Sequence, residues 1–97
     1  MLNITKTWEN KTLTAALDGR LDTVTSPELE AALQSDVGEA EELIFDMEKL
    51  EYISSAGLRV LLSAQKRMNG RMKVVHVGEM ISEIFDVTGF SDILTIE

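Results

Sequence analysis

No cysteine occurs among the 97 residues. Disulfides, thiolate metal sites and thiol nucleophiles are therefore excluded, and the chain suits a reducing compartment. Histidine occurs once, at position 76 between valines, where it predicts a structural residue inside a strand. One imidazole without a thiolate is a poor basis for a transition-metal site. Asp18, Asp22 and Asp46 could hold a hard cation, but scattered acids are common. No apolar run approaches the ~20 residues that span a bilayer. Residues 1–6 lack a basic start followed by an apolar block, so no signal peptide is read there. Basic residues are scarce, with 9 Lys and Arg against 17 Asp and Glu for a net charge of −8. Such a surface repels nucleic acid and anionic lipid, which argues against direct DNA binding. Neither G-x-x-x-x-G-K-[ST] nor G-x-G-x-x-G is present to cradle phosphates.

What remains is an ordinary globular composition, 44% hydrophobic and 27% charged, enough for one small core. The charge is uneven. Five of the basic residues fall between Arg59 and Lys73, and twelve of the acids precede Ser54. The periodicities can be read in chain order. Leu2, Ile4 and Trp8 alternate with polar residues, and Lys6 marks an edge strand. Glu9-Asn10-Lys11 is a turn, and Leu13, Ala15 and Leu17 make the second strand of a hairpin. Asp18-Gly19 ends or bends that strand. Ser26-Pro27-Glu28 predicts a helix start with Ser26 as the cap; Leu29, Ala32, Leu33 and Val37 form its stripe and Gly38 its stop. Leu43–Met47 reads as an interior strand, buried on both faces. A helix over 56–69, a strand over 71–77, a helix around Ile81, Ile84 and Phe85 closed by Gly89, and a short strand at Ile93–Ile96 complete the chain. The order is β-β-α-β-α-β-α-β: an α/β fold with about three helices on a mixed sheet of four or five strands, antiparallel only at the hairpin.

The stretch Leu43–Met68 concentrates the chemistry. A strand leads through Tyr52-Ile53 to Ser54-Ser55-Ala56-Gly57-Leu58, and then into a helix. Serines at that junction serve either as an N-cap or as a hydroxyl presented for modification. An esterase nucleophile is disfavoured, because the surroundings are not G-x-S-x-G and His76 would have to be the base.

This stretch resembles the signature of the STAS family, the sulfate transporter and anti-sigma factor antagonist domains. Tyr52 and Ile53 match its aromatic or apolar pair, Ser54 stands where Asp is usual, Ser55 matches the phosphoacceptor, and Gly57 and Leu58 match. Ala56 replaces a second hydroxyl residue. Gly19-Arg20-Leu21-Asp22 is similar to the family's loop after the second strand, and Ile84–Phe90 to its last helix and turn. The resemblance implies one STAS-like domain over residues 1–97, in a cytoplasmic phosphoprotein of transcription regulation. It implies partner switching: the domain binds an anti-sigma factor that is also a serine kinase, so that a sigma factor is released. Phosphorylation of Ser55 ends the complex and a protein phosphatase reverses it. Asp22, Thr23, Ser54, Ala56, Gly57 and Arg59 would form the contact face. The domain would be no enzyme and need no cofactor or metal, since ATP and Mg²⁺ belong to the kinase. The alternative is a STAS scaffold subunit of a transporter, lipid-trafficking or signalling complex. No residue pattern sets an oligomeric state.

Overall fold

β1 (Leu2–Glu9) and β2 (Thr12–Leu21) pair antiparallel, from Leu2 opposite Gly19 to Glu9 opposite Thr12. Asn10 closes the hairpin at φ 58°, in the left-handed region that asparagine tolerates. The computed structural model describes residues 1–97, and in it β2, β3 (Glu42–Ile53) and β4 (Met72–Val75) run parallel in a sheet of order β1-β2-β3-β4. β3 is thus interior, as its apolar start predicts.

The registers set Leu13, Leu43 and Met72 in one row and Ala15, Phe45 and Val74 in the next, all buried. The helices add Leu29, Leu33, Val37, Leu58, Val60, Leu61, Ala64, Ile81 and Phe85 to the same apolar cluster, so they cover this face. The opposite face carries Thr5, Thr14, Ala16, Ile44, Asp46, Lys73 and Val75, none of them fully buried. One face is therefore core and the other open. Ile44 lies on the open one, which corrects the expectation that the whole Leu43–Met47 run is buried on both faces. Lys6 marks the sheet edge and reaches Asp36 Oδ2 and the Ala32 carbonyl, each at 2.6 Å.

Several boundaries differ from the sequence reading. α1 (Ser26–Leu33) is followed by a separate turn of helix, α2 (Asp36–Glu39), so Gly38 lies inside a helix and stops none. Ser26 is already helical, and its hydroxyl donates back to the Asp22 carbonyl at 2.5 Å instead of capping. β2 bends through register shifts around Asp18 and Gly19 but continues to the buried Leu21. Gly19 sits at φ 116°, and a Cβ there would lie 2.3 Å from the Met1 carbonyl oxygen. β4 stops at Val75, so His76 lies beyond the strand, exposed, at φ 57°. α3 (Ser55–Arg67) and α4 (Glu79–Thr88) match their periodic stripes, and Gly89 closes α4 at φ 82°. The last strand is reduced to a single bridge, Val74 to Ile96, after a 3₁₀ turn at Phe90–Asp92.

Candidate functional site

The C-terminal ends of β2 and β3 lie side by side, with Leu21 paired to Ile53. The Ser54 N–H donates to the Leu21 carbonyl at 2.9 Å, tying the serine turn to the loop after β2. Ser54 has extended backbone (φ −97°, ψ 175°), and its Oγ accepts from the Gly57 N–H at 3.3 Å. It is the N-cap of α3. Ser55 is the first helical residue and is exposed, whereas Ser54 is half-buried. Aspartate and serine are both strong N-caps. Ser54 therefore caps α3 without placing a charge at the turn.

Gly57 is buried beneath the turn. A Cβ there would meet Leu21 Cγ at 2.8 Å, Ile53 Cγ1 at 2.9 Å and the Leu21 carbonyl oxygen at 3.0 Å. Its lack of a side chain lets α3 sit on the ends of β2 and β3. Ala56 is half-buried, and Arg59 is exposed one turn into α3. Thr23, Ser26, Pro27 and Glu30 on one side and Ala56, Arg59, Val60 and Ser63 on the other line a groove of about 360 Å³ between the start of α1 and α3. Thr23, Ala56 and Arg59 thus share one surface.

The loop opposite is held by side chains. Asp22 Oδ1 accepts from the N–H groups of Val24 and Thr25, each at 3.0 Å. The Thr25 hydroxyl accepts from the Asp22 N–H at 2.9 Å and donates to the Arg20 carbonyl at 2.7 Å. Thr25 and Ser26 are the two buried polar residues of the chain. The bond from the Thr25 N–H, aided by its hydroxyl and by Val24, holds the Asp22 carboxyl below the ordinary carboxylate range, against a smaller opposing effect of burial. Asp22 is thus half-buried and turned into its own loop, and Thr23 beside it is exposed. Two further residues shape this loop, Thr25 and Arg20. Thr25 orders the loop, and the spacing of Asp22 and Thr25 is its signal. Arg20 stacks its guanidinium 4.4 Å from the Tyr52 ring centroid, because the two are paired across β2 and β3. That bulge-dependent register has no local signal.

His76 pairs with Asp46 of β3 on the open sheet face, whereas Ser55 lies beyond the end of that strand, so no hydrolytic triad assembles. Nor do Asp18, Asp22 and Asp46 gather around a cation, because Asp22 is held in its loop and Asp46 groups with Glu48 and His76. No helix is long and apolar enough to cross a membrane.

The family model described as the STAS domain matches residues 3–97. Over 88 residues the chain is 33% identical to BtrV of Bordetella bronchiseptica, assigned as an anti-sigma factor antagonist, covering 87% of this chain and 76% of that one. Among solved structures, an anti-sigma factor antagonist from Mycobacterium paratuberculosis superposes with a TM-score of 0.90 at 21% identity, covering 99% of this chain and 85% of that one. The phosphorylated form of the Bacillus cell fate determinant SpoIIAA does so with a TM-score of 0.75 at 17% identity, covering 100% and 91%. With the family model spanning residues 3–97 and BtrV 33% identical over 87% of the chain, the chain belongs to the STAS domain family and within it to the anti-sigma factor antagonist type.

Proposed function

We propose that the domain is a phosphorylation-switched anti-sigma factor antagonist. It binds an anti-sigma factor serine kinase, which frees a sigma factor, until the kinase phosphorylates Ser55; a phosphatase then restores binding. The observation that carries this reading is the division of labour between the two serines. Ser54 is occupied as the N-cap of α3, and Ser55 stands exposed at its first position. A phosphate adds about −1.5 to −2 charge at neutral pH. On Ser55 it meets the free N–H groups and positive dipole end of a thirteen-residue helix, so the isolated domain tolerates it. The cost then falls on the complex, through the bulk of the phosphate, its desolvation and its repulsion of acidic partner groups. Each ~1.4 kcal/mol lost weakens binding tenfold. The domain is substrate and switch, and ATP and Mg²⁺ act in the kinase.

The contact face is the surface shared by Thr23, Ser55, Ala56 and Arg59, with Asp22 and Ser54 shaping it from within. Incubation with the cognate kinase and ATP, followed by mass spectrometry, should place the phosphate on Ser55 and leave Ser54 unmodified. Titration calorimetry should then give a much weaker complex for the phosphorylated domain. Phosphate on Ser54 alone, or undiminished affinity after modification, would reject the proposal.

A further inference from the structure

The Ser55 turn does not account for a second group of functional side chains on the open face of the sheet. Asp46 lies there in β3, Glu48 follows two residues later, and His76 stands just past the end of β4. The register pairs Asp46 with Val75, the residue before His76. His76 Nδ1 lies 3.0 Å from Asp46 Oδ1 and 3.9 Å from Glu48 Oε1. One donor atom from each of the three residues falls within a sphere of mutual distances under 4.8 Å.

We propose that Asp46, Glu48 and His76 bind a divalent transition-metal ion of the borderline kind, typified by Zn²⁺, that takes imidazole nitrogen together with carboxylate oxygen. An ion about 2.1 Å from each donor sets neighbouring donors roughly 3.0 Å apart at right angles and 3.4 Å apart in a tetrahedron. The spacing seen needs only a small closing movement of Glu48, whose side chain is 69% exposed and free to make it. As the ion takes Nδ1, the neutral ring moves its proton to Nε2, so no co-reactant is needed. Asp46 is already oriented, because its Oδ1 also accepts from the Glu48 N–H at 3.0 Å. A ligating carboxylate held by such a bond loses little freedom on binding.

Two further features favour a cation. Asp46 and Glu48 border a hollow of about 310 Å³ that Asp18 also lines, with Lys49 its one basic residue. The hollow gives an ion access and leaves room for water in the remaining coordination positions. His76 also brings a nitrogen ligand, which distinguishes the group from a patch of acids and favours Zn²⁺ over Mg²⁺ or Ca²⁺. The site lies roughly 20 Å of strand from Ser54, taking about 3.3 Å per residue from Glu48, so it is separate from the phosphorylation surface.

The test uses the full chain purified without a polyhistidine tag. Calorimetric titration with ZnCl₂ should show one site of micromolar affinity, and MgCl₂ should show none that depends on His76. His76→Asn keeps a residue that tolerates the left-handed backbone, and Asp46→Asn keeps the shape of the side chain. Each should weaken Zn²⁺ binding at least tenfold, with circular dichroism confirming an intact fold. Because His76 is the sole histidine, its ring protons give a single set of NMR signals. One equivalent of Zn²⁺ should shift them. Ring signals that stay unmoved at saturating Zn²⁺, or binding that survives both substitutions, would overturn the assignment.

Discussion

Ser54 and Ser55 carry the same hydroxyl one residue apart, and the start of α3 gives them different surroundings. The Ser54 oxygen satisfies a helix N–H that would otherwise be free. Ser54→Ala should therefore cost about 1 kcal/mol of stability in urea unfolding, the usual loss for an N-cap. Ser55→Ala removes an exposed hydroxyl outside the cap and should stay within ~0.5 kcal/mol. A larger loss at Ser55 than at Ser54 would reverse the assignment. Asp22 supplies a pH test at the same scale. Its folded pKa lies below the ordinary 3.8, chiefly through the Thr25 N–H. The unfolded chain therefore binds this proton more readily than the folded one. The stability Asp22 contributes is fully present above about pH 4, near the ordinary aspartate value, and is lost as the pH falls through the lower folded value. The difference in urea midpoint between wild type and Asp22→Asn should be constant from pH 7 to 5 and shrink below pH 4. A difference that widens on acidification would show that the carboxylate is not the stabilising form.

At the scale of the element, β3 decides most. Its twelve residues present Leu43, Phe45, Met47, Leu50 and Ile53 to the core. Phe45 has no exposed surface, and Phe45→Ala should cost ~3–5 kcal/mol. Ile44, one residue away, faces the open side between Thr14 and Lys73. Ile44→Asp consequently puts its charge near water and beside a lysine. Its cost should be on the order of 1 kcal/mol, the span of strand-propensity effects, and not that of a buried unpaired charge. Parallel unfolding curves of the two variants check the ranking, and equal losses would mean that the open face is covered. The run Leu-Ile-Phe reads as a strand buried on both sides because single-sequence periodicity counts apolar residues and cannot tell whether a second layer of helices exists. Apolar alternation likewise places His76 inside β4, because it does not mark where the hydrogen-bonded ladder stops, which is at Val75.

At the scale of the molecule, the turns after β2 and β3 gather at one end of the sheet, and Arg59 projects there from α3. Arg59 is exposed on a domain of net charge −8, so Arg59→Glu should leave stability within ~0.5 kcal/mol and weaken the anti-sigma factor complex at least tenfold in calorimetry. Binding that survives this change together with Asp22→Ala would move the docking face elsewhere. The order of the elements, the interior position of β3 and the turn that bears the two serines are legible in the sequence. Each depends on local alternation, on helix-start and turn residues, or on a short motif. Which serine is the cap, the enclosure of Gly57 by Leu21 and Ile53, the stacking of Arg20 on Tyr52, and the convergence of Asp46, Glu48 and His76 emerge only from the folded chain. Except for the cap, these are contacts between segments distant in the chain, or partly so, set by strand register, bulges and crossovers, for which no short stretch of sequence carries a signal. For the cap, either adjacent serine satisfies the same local rule, and only the backbone angle at Ser54 separates them.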